Sequence, residues 1–148
     1  MKLFLQSFLK ALEEFLNKIL FFKINRISAE ENLSRFIFSS SHFNAAGAKH
    51  AAFMPRNGET SVFCTSSISE DEIWDIGESV VGINIEPSLK ARADIICNEV
   101  RKTGLDVISE TSTHPLHANI TNWPEERDEQ LELAIELANT SKFHRKPT

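Results

Sequence analysis

The sequence predicts one α+β domain, with a sheet of four or five strands, helices packed against it and an amphipathic helix at the N-terminus. Three observations lead to this prediction. The length of 148 residues is close to the commonest size of a single domain. Short runs of β-branched and aromatic residues alternate with segments of helical periodicity. Capping patterns precede several of the helical segments. We therefore divide the chain into a helix, residues 1–25, and a domain, residues 26–148.

The first helix is predicted by polar side chains that recur about once per helical turn through residues 2–22. The rest of that segment is apolar and makes a face too wide to remain uncovered. Three alternatives could cover this face: the domain itself, a second copy or a protein partner docking on residues 2–22, and a membrane surface. No apolar run approaches the roughly 20 residues that span a bilayer, and no signal-peptide cleavage pattern follows. We expect a cytoplasmic protein of bacterial type.

The next elements are two strands that follow a short helix. Residues 28–31, Ser-Ala-Glu-Glu, match a capping box and predict that a short helix starts there. Residues 35–38 and residues 61–65 are rich in aromatic and β-branched side chains, which predicts two strands. The polar stretch 39–61 connects them.

The middle of the chain is predicted to be mainly helical. A second capping box at residues 69–72 opens a helix over 69–81, for which Gly82 is the expected stop. Residues 83–85 are a short strand candidate. In residues 88–102 the apolar side chains recur at helical spacing, which predicts another helix.

The last part of the chain predicts two strands and a final helix. Residues 105–108 and 117–120 alternate as strands, with a polar loop between them. Pro124 suits the first position of a helix over 124–139, and the acidic residues after it suit the first turn. Residues 142–146 are expected to be a basic, frayed tail.

The charge is unevenly distributed along the chain. Residues 1–60 hold eight Lys and Arg against five Asp and Glu, which gives +3, and residues 61–148 hold eight against sixteen, which gives −8. The acidic second half argues against broad nucleic-acid binding through a basic surface. A local basic face around Arg26, Arg35, Lys49 and Arg56 stays open beside the alternative of ordinary solvated charges.

Cys64 and Cys97 lie far apart in apolar settings and lack the spacing of a metal or redox motif. Buried free thiols in a reducing compartment are the simplest interpretation. A single disulfide between them is the alternative.

The polar stretch 39–61 contains most of the candidate site residues, because loops on a rigid scaffold carry many binding and catalytic groups. His42 follows three serines and could act as a general acid or base. Asn57-Gly58 is a strong turn signal. Lys49 and Arg56, with Arg35, His42 and His50, would form an anion pocket. We predict a ligand-binding set: Lys49, Arg56, Glu59 and Ser61.

His114 and His117 lie in and beside the second polar loop and complete the predicted catalytic set with His42. Two histidines on a bent loop could converge on one ion, but zinc sites need three or four ligands. We therefore predict no metal site and no cofactor.

Several segments together resemble a family of small, uncharacterised bacterial proteins. The resemblance rests on residues 38–43, 52–55, 59–63, 73–77, 117–120 and 123–124. It covers about residues 35–140 and implies no activity, because none is known for that family. The first 25 residues fall outside it, which indicates that the N-terminal helix is an addition for docking or assembly.

Two function hypotheses follow. The first is an accessory or binding module that recognises a protein or a small anionic ligand and assembles through its first helix. The second is an enzyme, a hydrolase or transferase acting on a phosphate-containing or nucleotide-like substrate. In that enzyme His42 would be the general acid or base, assisted by His114 or His117, and Lys49 and Arg56 would hold the charge.

Overall fold

A computed structural model describes residues 2–84 and 86–148, without the side chains of residues 21–25. The described residues form four α-helices and eight strands. They are α1 (Lys2–Asn25), β1 (Asn32–Ile37), β2 (Phe43–Asn44), β3 (Gly47–Ala48), β4 (Thr60–Cys64), α2 (Glu70–Ile76), β5 (Ala91–Ile96), α3 (Cys97–Lys102), β6 (Asp106–Ser109), β7 (His117–Thr121), α4 (Arg127–Thr140) and β8 (Lys142–Arg145). Six strands form one antiparallel sheet in the order β6-β7-β4-β1-β5-β8, and β2 pairs with β3. The predicted α+β class is confirmed.

Alternation along the central strands gives the sheet two different faces. Leu33, Ile37 and Val62 point to the larger core, where α3 and α4 pack. Phe36 and Phe63 point to the other face, where α2 covers them with Ile73, Trp74 and Ile76. The second face is covered only in part, because Ile108 on β6 remains 53% exposed. The uncovered part lies at the β6 edge, since Phe63 on β4 and Asn119 on β7 are buried on the same face.

The strongest local signals were read correctly. The Ser69 hydroxyl accepts a hydrogen bond from the Glu72 amide at the start of α2, as a capping box requires. A π-helical turn, Gly77–Val81, extends α2 to Gly82, so the predicted end of the helix is confirmed. The tight turn at Asn57-Gly58 is confirmed as well, since both residues have positive φ, of 54° and 77°.

The prediction of one helix over residues 88–102 is wrong. The segment forms strand β5 and only then the short helix α3. Its period-2 pattern sends Ala91, Ala93 and Ile95 into the larger core and sends Arg92 to the other face. Pairing with β1 on one side and β8 on the other outweighs the helical spacing of the apolar residues.

Four further predictions differ from the structure. Residues 28–31 form a turn, with the Glu31 amide bonded to the Ser28 carbonyl, and β1 follows at once. Ile83 and Asn84 lie in a turn, and residue 85 lies outside the described residues. The tail predicted to fray forms β8, because its residues 142–145 pair with β5. The last helix starts at Arg127, three residues after Pro124.

Helix α1 is confirmed as a helix, but the domain does not cover its apolar face. Ten large apolar side chains on it remain 41–82% exposed: Leu3, Phe4, Leu5, Phe8, Leu9, Leu12, Phe15, Leu16, Ile19 and Leu20. The interpretation that α1 packs against its own domain is therefore wrong. None of the described helices combines the length and the apolar character that a membrane span needs.

Both cysteines are free thiols, as predicted. Cys97 is fully buried and Cys64 is partly buried between β1 and β7. Burial raises the pKa of the Cys64 thiol to about 12, so the thiolate is scarce at neutral pH.

Candidate functional site

Five basic side chains predicted to form an anion pocket gather near the end of β1, and we call them the basic cluster: Arg35, His42, Lys49, His50 and Arg56. Arg35 lies on β1, and His42 ends the 3-10 turn that follows it. Lys49 precedes a second 3-10 turn that begins at His50. Arg56 opens the tight turn that pairs it with Glu59. The folding of residues 39–59 across one end of the sheet thus brings them together.

Arg35 fills the place where β1 and β4 separate. The two strands pair at Leu33–Cys64 and Ser34–Phe63, and the paired register goes no further. Beyond it, Arg35 donates from Nη1 to the Ser61 carbonyl at 2.9 Å and from Nε to the Ala52 carbonyl at 2.8 Å. The guanidinium therefore replaces backbone pairing between the two strands.

The charge of Arg35 has no carboxylate partner among the described residues. Burial, and then repulsion from Arg56, lower the pKa of Arg35 to about 10. Lys49 and Arg56, both exposed, form no ion pair within the described part of the chain either. Among the described residues, the three cations of the cluster, Arg35, Lys49 and Arg56, thus have no ion-paired carboxylate.

His42 experiences the same positive field. Burial lowers the pKa of His42, and Arg35, His50 and Lys49 lower it further. The described residues offer its ring no hydrogen-bond partner. The surroundings of the half-buried His42 ring therefore favour its neutral form.

A groove of about 330 Å³ adjoins the cluster on the side of α4. Lys49 and His50 line it together with polar side chains of the β2–β3 hairpin and the end of α4, namely Asn44, Asn139 and Ser141. Its volume is at the lower end of small-ligand sites. Two basic and three polar side chains thus face one concave surface.

The other predicted site residues lie on the partly uncovered face of the sheet; two of them, Ser61 and His117, join a hydrogen-bonded chain, and a third, Glu59, bonds Asn119 separately. Ser61 Oγ lies 2.7 Å from His117 Nε2. His117 Nδ1 lies 2.7 Å from the Glu110 carbonyl oxygen and 3.0 Å from Glu110 Oε2. Asn119 on β7 lies directly opposite Ser61 and donates to Glu59 Oε2 at 3.0 Å.

His114 lies beside this chain without joining it. The rings of His114 and Phe63 pack edge to face, with their centroids 5.6 Å apart. The His117 ring packs on Phe63 in the same way, with a centroid distance of 5.3 Å. His114 Nδ1 accepts a hydrogen bond from the Leu116 amide at 3.1 Å. His114 therefore packs the loop against the sheet.

The predicted residues fall into two groups on opposite faces of the sheet. Arg35 shares the face of Leu33 and Ile37, whereas Ser61 and His117 share that of Phe63. Ser61 is where the groups meet, because its carbonyl bonds Arg35 and its hydroxyl bonds His117. The role of Glu110 was missed, since it depends on pairing between β6 and β7, and the bond from Asn119 to Glu59 depends on pairing between β4 and β7.

Sequence reasoning also missed a buried charged network around Arg92, which is 2% exposed. Arg92 donates to both carboxylate oxygens of Glu70, at 2.8 and 3.0 Å, and to Asp94 at 3.1 Å. Its guanidinium lies 4.6 Å from the centre of the Trp74 ring. The alternation of Arg92 and Asp94 along residues 91–96 could have signalled it, had that segment been read as a strand.

Within the described residues, no three His, Cys, Asp or Glu side chains converge as metal ligands would. No family model, no curated protein and no solved structure shows a significant match to this chain. Function must therefore be inferred from the geometry of the basic cluster and of the chain that joins Ser61, His117 and Glu110.

Proposed function

We propose that this protein is a binding module for a small anionic ligand, which docks a phosphate-like or carboxylate group at the basic cluster. The observation that carries the proposal is Arg35, a half-buried guanidinium held by two carbonyl groups with no carboxylate. A charge removed from water and left unpaired is costly, and a bound anion would compensate it.

The hydrogen-bonding capacity of Arg35 supports the same proposal. A guanidinium has five N–H donors, and the described contacts use one on Nε and one on Nη1. Nη2 makes no hydrogen bond to a described residue. Within the described part of the chain, every buried polar side-chain atom has a hydrogen-bond partner, so Nη2 is not one of the buried atoms. Nη2 therefore reaches solvent and is free to donate to an oxyanion.

The neighbouring groups extend this surface. Lys49 and Arg56 are exposed cations, and the groove beside Lys49 and His50 offers room for the rest of a small ligand. We infer that Arg35 and Arg56 contact the anionic group and that Lys49 contributes a flexible charge. The enzymatic alternative based on His42 has less support, because no described hydroxyl or carboxylate bonds its ring.

Thermal unfolding tests the proposal with sulfate as the probe, against sodium chloride at matched ionic strength. A ligand at about ten times its Kd stabilises the native state by about 1.4 kcal/mol, which is a rise of roughly 3–6 °C in Tm. We expect this rise in the wild type and its loss in Lys49→Ala/Arg56→Ala. The control Lys102→Ala/Arg127→Ala removes the same charge from exposed cations elsewhere and should retain it. An equal rise in both double variants would contradict the proposal.

The exposed face of α1 favours a second, compatible function, self-assembly. Leu5, Phe8, Leu12, Phe15 and Ile19 recur at alternating spacings of three and four, which is the a/d pattern of a coiled coil. The ten exposed side chains present on the order of 1,000 Å² of apolar surface, at ~100 Å² each. Each partner in a standard interface buries roughly 800 Å². We propose that a second copy of this chain covers the face.

Light scattering over a range of concentrations tests self-assembly. The wild type should form a dimer or a larger closed assembly, and Leu12→Lys/Phe15→Lys should be a monomer with the same domain stability. Asn17→Lys, on the polar side of the helix, is the matched control and should still assemble. A monomeric wild type that sediments with lipid vesicles would instead assign the face to a membrane surface and overturn this proposal.

A further inference from the structure

The protonation pattern of His117 follows from its neighbours. Both atoms near Nδ1 are acceptors, the Glu110 carbonyl oxygen at 2.7 Å and Glu110 Oε2 at 3.0 Å. The neutral imidazole must therefore carry its proton on Nδ1, and Nε2 must present a lone pair. The only direction left for the 2.7 Å contact is donation from the Ser61 hydroxyl to Nε2. Ser61 is thus a hydroxyl bonded to an oriented base.

The surroundings of Ser61 suit a reaction more than a purely structural bond. Ser61 is only partly buried on the partly covered face of the sheet, whereas Ser34 on β1 is fully buried in the Arg92 network. Asn119 lies opposite Ser61 in register, so the Cβ atoms of the two residues are within about 5.5 Å of each other. Asn119 Nδ2 donates one N–H to Glu59 Oε2, and its second N–H can donate to an oxygen that becomes negative beside Ser61.

We propose that Ser61 is the nucleophile of an acyl-transfer site, with His117 as general base and acid and with Glu110 as a positioning residue. The Ser61 oxygen attacks the carbonyl carbon of an ester, and the hydroxyl proton passes to His117 Nε2. The carbonyl oxygen becomes an oxyanion beside Asn119. The bond to the leaving alcohol then breaks, and His117 returns the proton to that alcohol. Water hydrolyses the acyl-serine in the same way and restores both residues.

The substrate class follows from the groups that border the site. Phe63, Ile108 and the ring of His114 make this side apolar, and Ile108 pairs with Asn119 in register. An ester with a small apolar acyl group fits this surface. The inference is independent of anion binding, because the basic cluster lies on the opposite face.

The test uses a fluorophosphonate, whose phosphorus accepts the serine oxygen as fluoride leaves. Intact-protein mass spectrometry and peptide mapping should show one label, on Ser61. His117→Gln should lower the labelling rate by at least about 100-fold, as loss of a general base does. His144→Gln is the matched control, since His144 lies on β8 at the opposite edge of the sheet from β6 and contacts Asp94, and it should label at the wild-type rate.

Two results would overturn the inference. One is a wild type that acquires no label on Ser61, or acquires it on another residue. The other is equal labelling of folded His117→Gln and wild type. Peptide mapping of the wild type alone decides the question if His117→Gln does not fold.

Discussion

Arg35 and Arg92 lie on neighbouring strands of the same sheet but meet opposite electrostatic surroundings. In the register of β1 and β5, Arg35 pairs with Ala93 and Phe36 pairs with Arg92, so the two guanidinium groups point to opposite faces. Arg92 meets two carboxylates and the face of Trp74. Arg35 meets two carbonyl groups and other basic side chains.

The pKa values of the two arginines record this difference. Burial alone lowers the pKa of Arg92, but its hydrogen bonds with Glu70 and Asp94 more than offset that and raise it. Burial and Arg56 lower the pKa of Arg35 to about 10. Arginine is therefore a fully paired part of the core at position 92, whereas at position 35 it has no carboxylate partner among the described residues. That contrast separates a structural arginine from a candidate ligand-binding one.

The largest expected effect is at Arg92. Arg92→Met leaves Asp94, which is 11% exposed, without its guanidinium partner and removes the contact with Trp74. We expect a loss of about 3 kcal/mol in the free energy of unfolding, at the lower end for a broken buried pair because Glu70 is exposed. Urea unfolding measures it. A loss below 1 kcal/mol would contradict the interpretation of Arg92 as a structural arginine.

A smaller effect on stability is expected at Arg35. Arg35→Met takes the donors from two carbonyl groups but also removes repulsion within the basic cluster, so we expect a loss of about 1 kcal/mol. The same variant should lose the stabilisation by sulfate. Urea unfolding with and without sulfate reports both quantities. A loss as large as that of Arg92→Met, with sulfate stabilisation intact, would show that the two arginines are alike.

The smallest effect concerns pH and His42. The pKa of His42 is lowered in the folded protein, so the unfolded chain takes up its proton first as pH falls below about 6.5. His42 therefore contributes stability above that pH, and the contribution is lost on acidification. Between pH 7.5 and 5.5 in chloride, the free energy of unfolding should therefore fall more in the wild type than in His42→Gln.

Sulfate sharpens the same experiment, because it stays dianionic over this range and favours protonated His42. On acidification the wild type should lose more unfolding free energy than His42→Gln, and this difference should be smaller in sulfate than in chloride. His50→Gln serves as a comparison for the neighbouring imidazole. A difference between wild type and His42→Gln that is unchanged by sulfate would show that His42 does not sense a bound anion.

Local sequence signals predicted much of this fold. The hydroxyl of Ser69 caps α2, and Asn57 with Gly58 makes the tight turn, because both signals act over a few residues. The strand at Arg92 was read as helix, since its pairing with β1 and β8 joins residues far apart in the chain. Local spacing cannot reveal such pairing.

The candidate site shows the same division. The basic residues of 35–56 lie close together in the sequence, and the fold brings them near one another. Ser61 and His117 were named separately, and their contact depends on the pairing of β4 with β7. Glu110 was not named at all, because its side chain reaches His117 only through the turn between β6 and β7.

The most direct test of the proposed anion site is a crystal structure of the protein with selenate, whose anomalous scattering locates the ion. An uncompensated basic cluster predicts an anomalous peak within hydrogen-bond distance of Arg35 Nη2 and Arg56, and no peak at Arg92. The peak should be absent from crystals of Lys49→Ala/Arg56→Ala. Peaks confined to other surfaces, with the basic cluster empty at a selenate concentration that raises Tm in solution, would contradict the account.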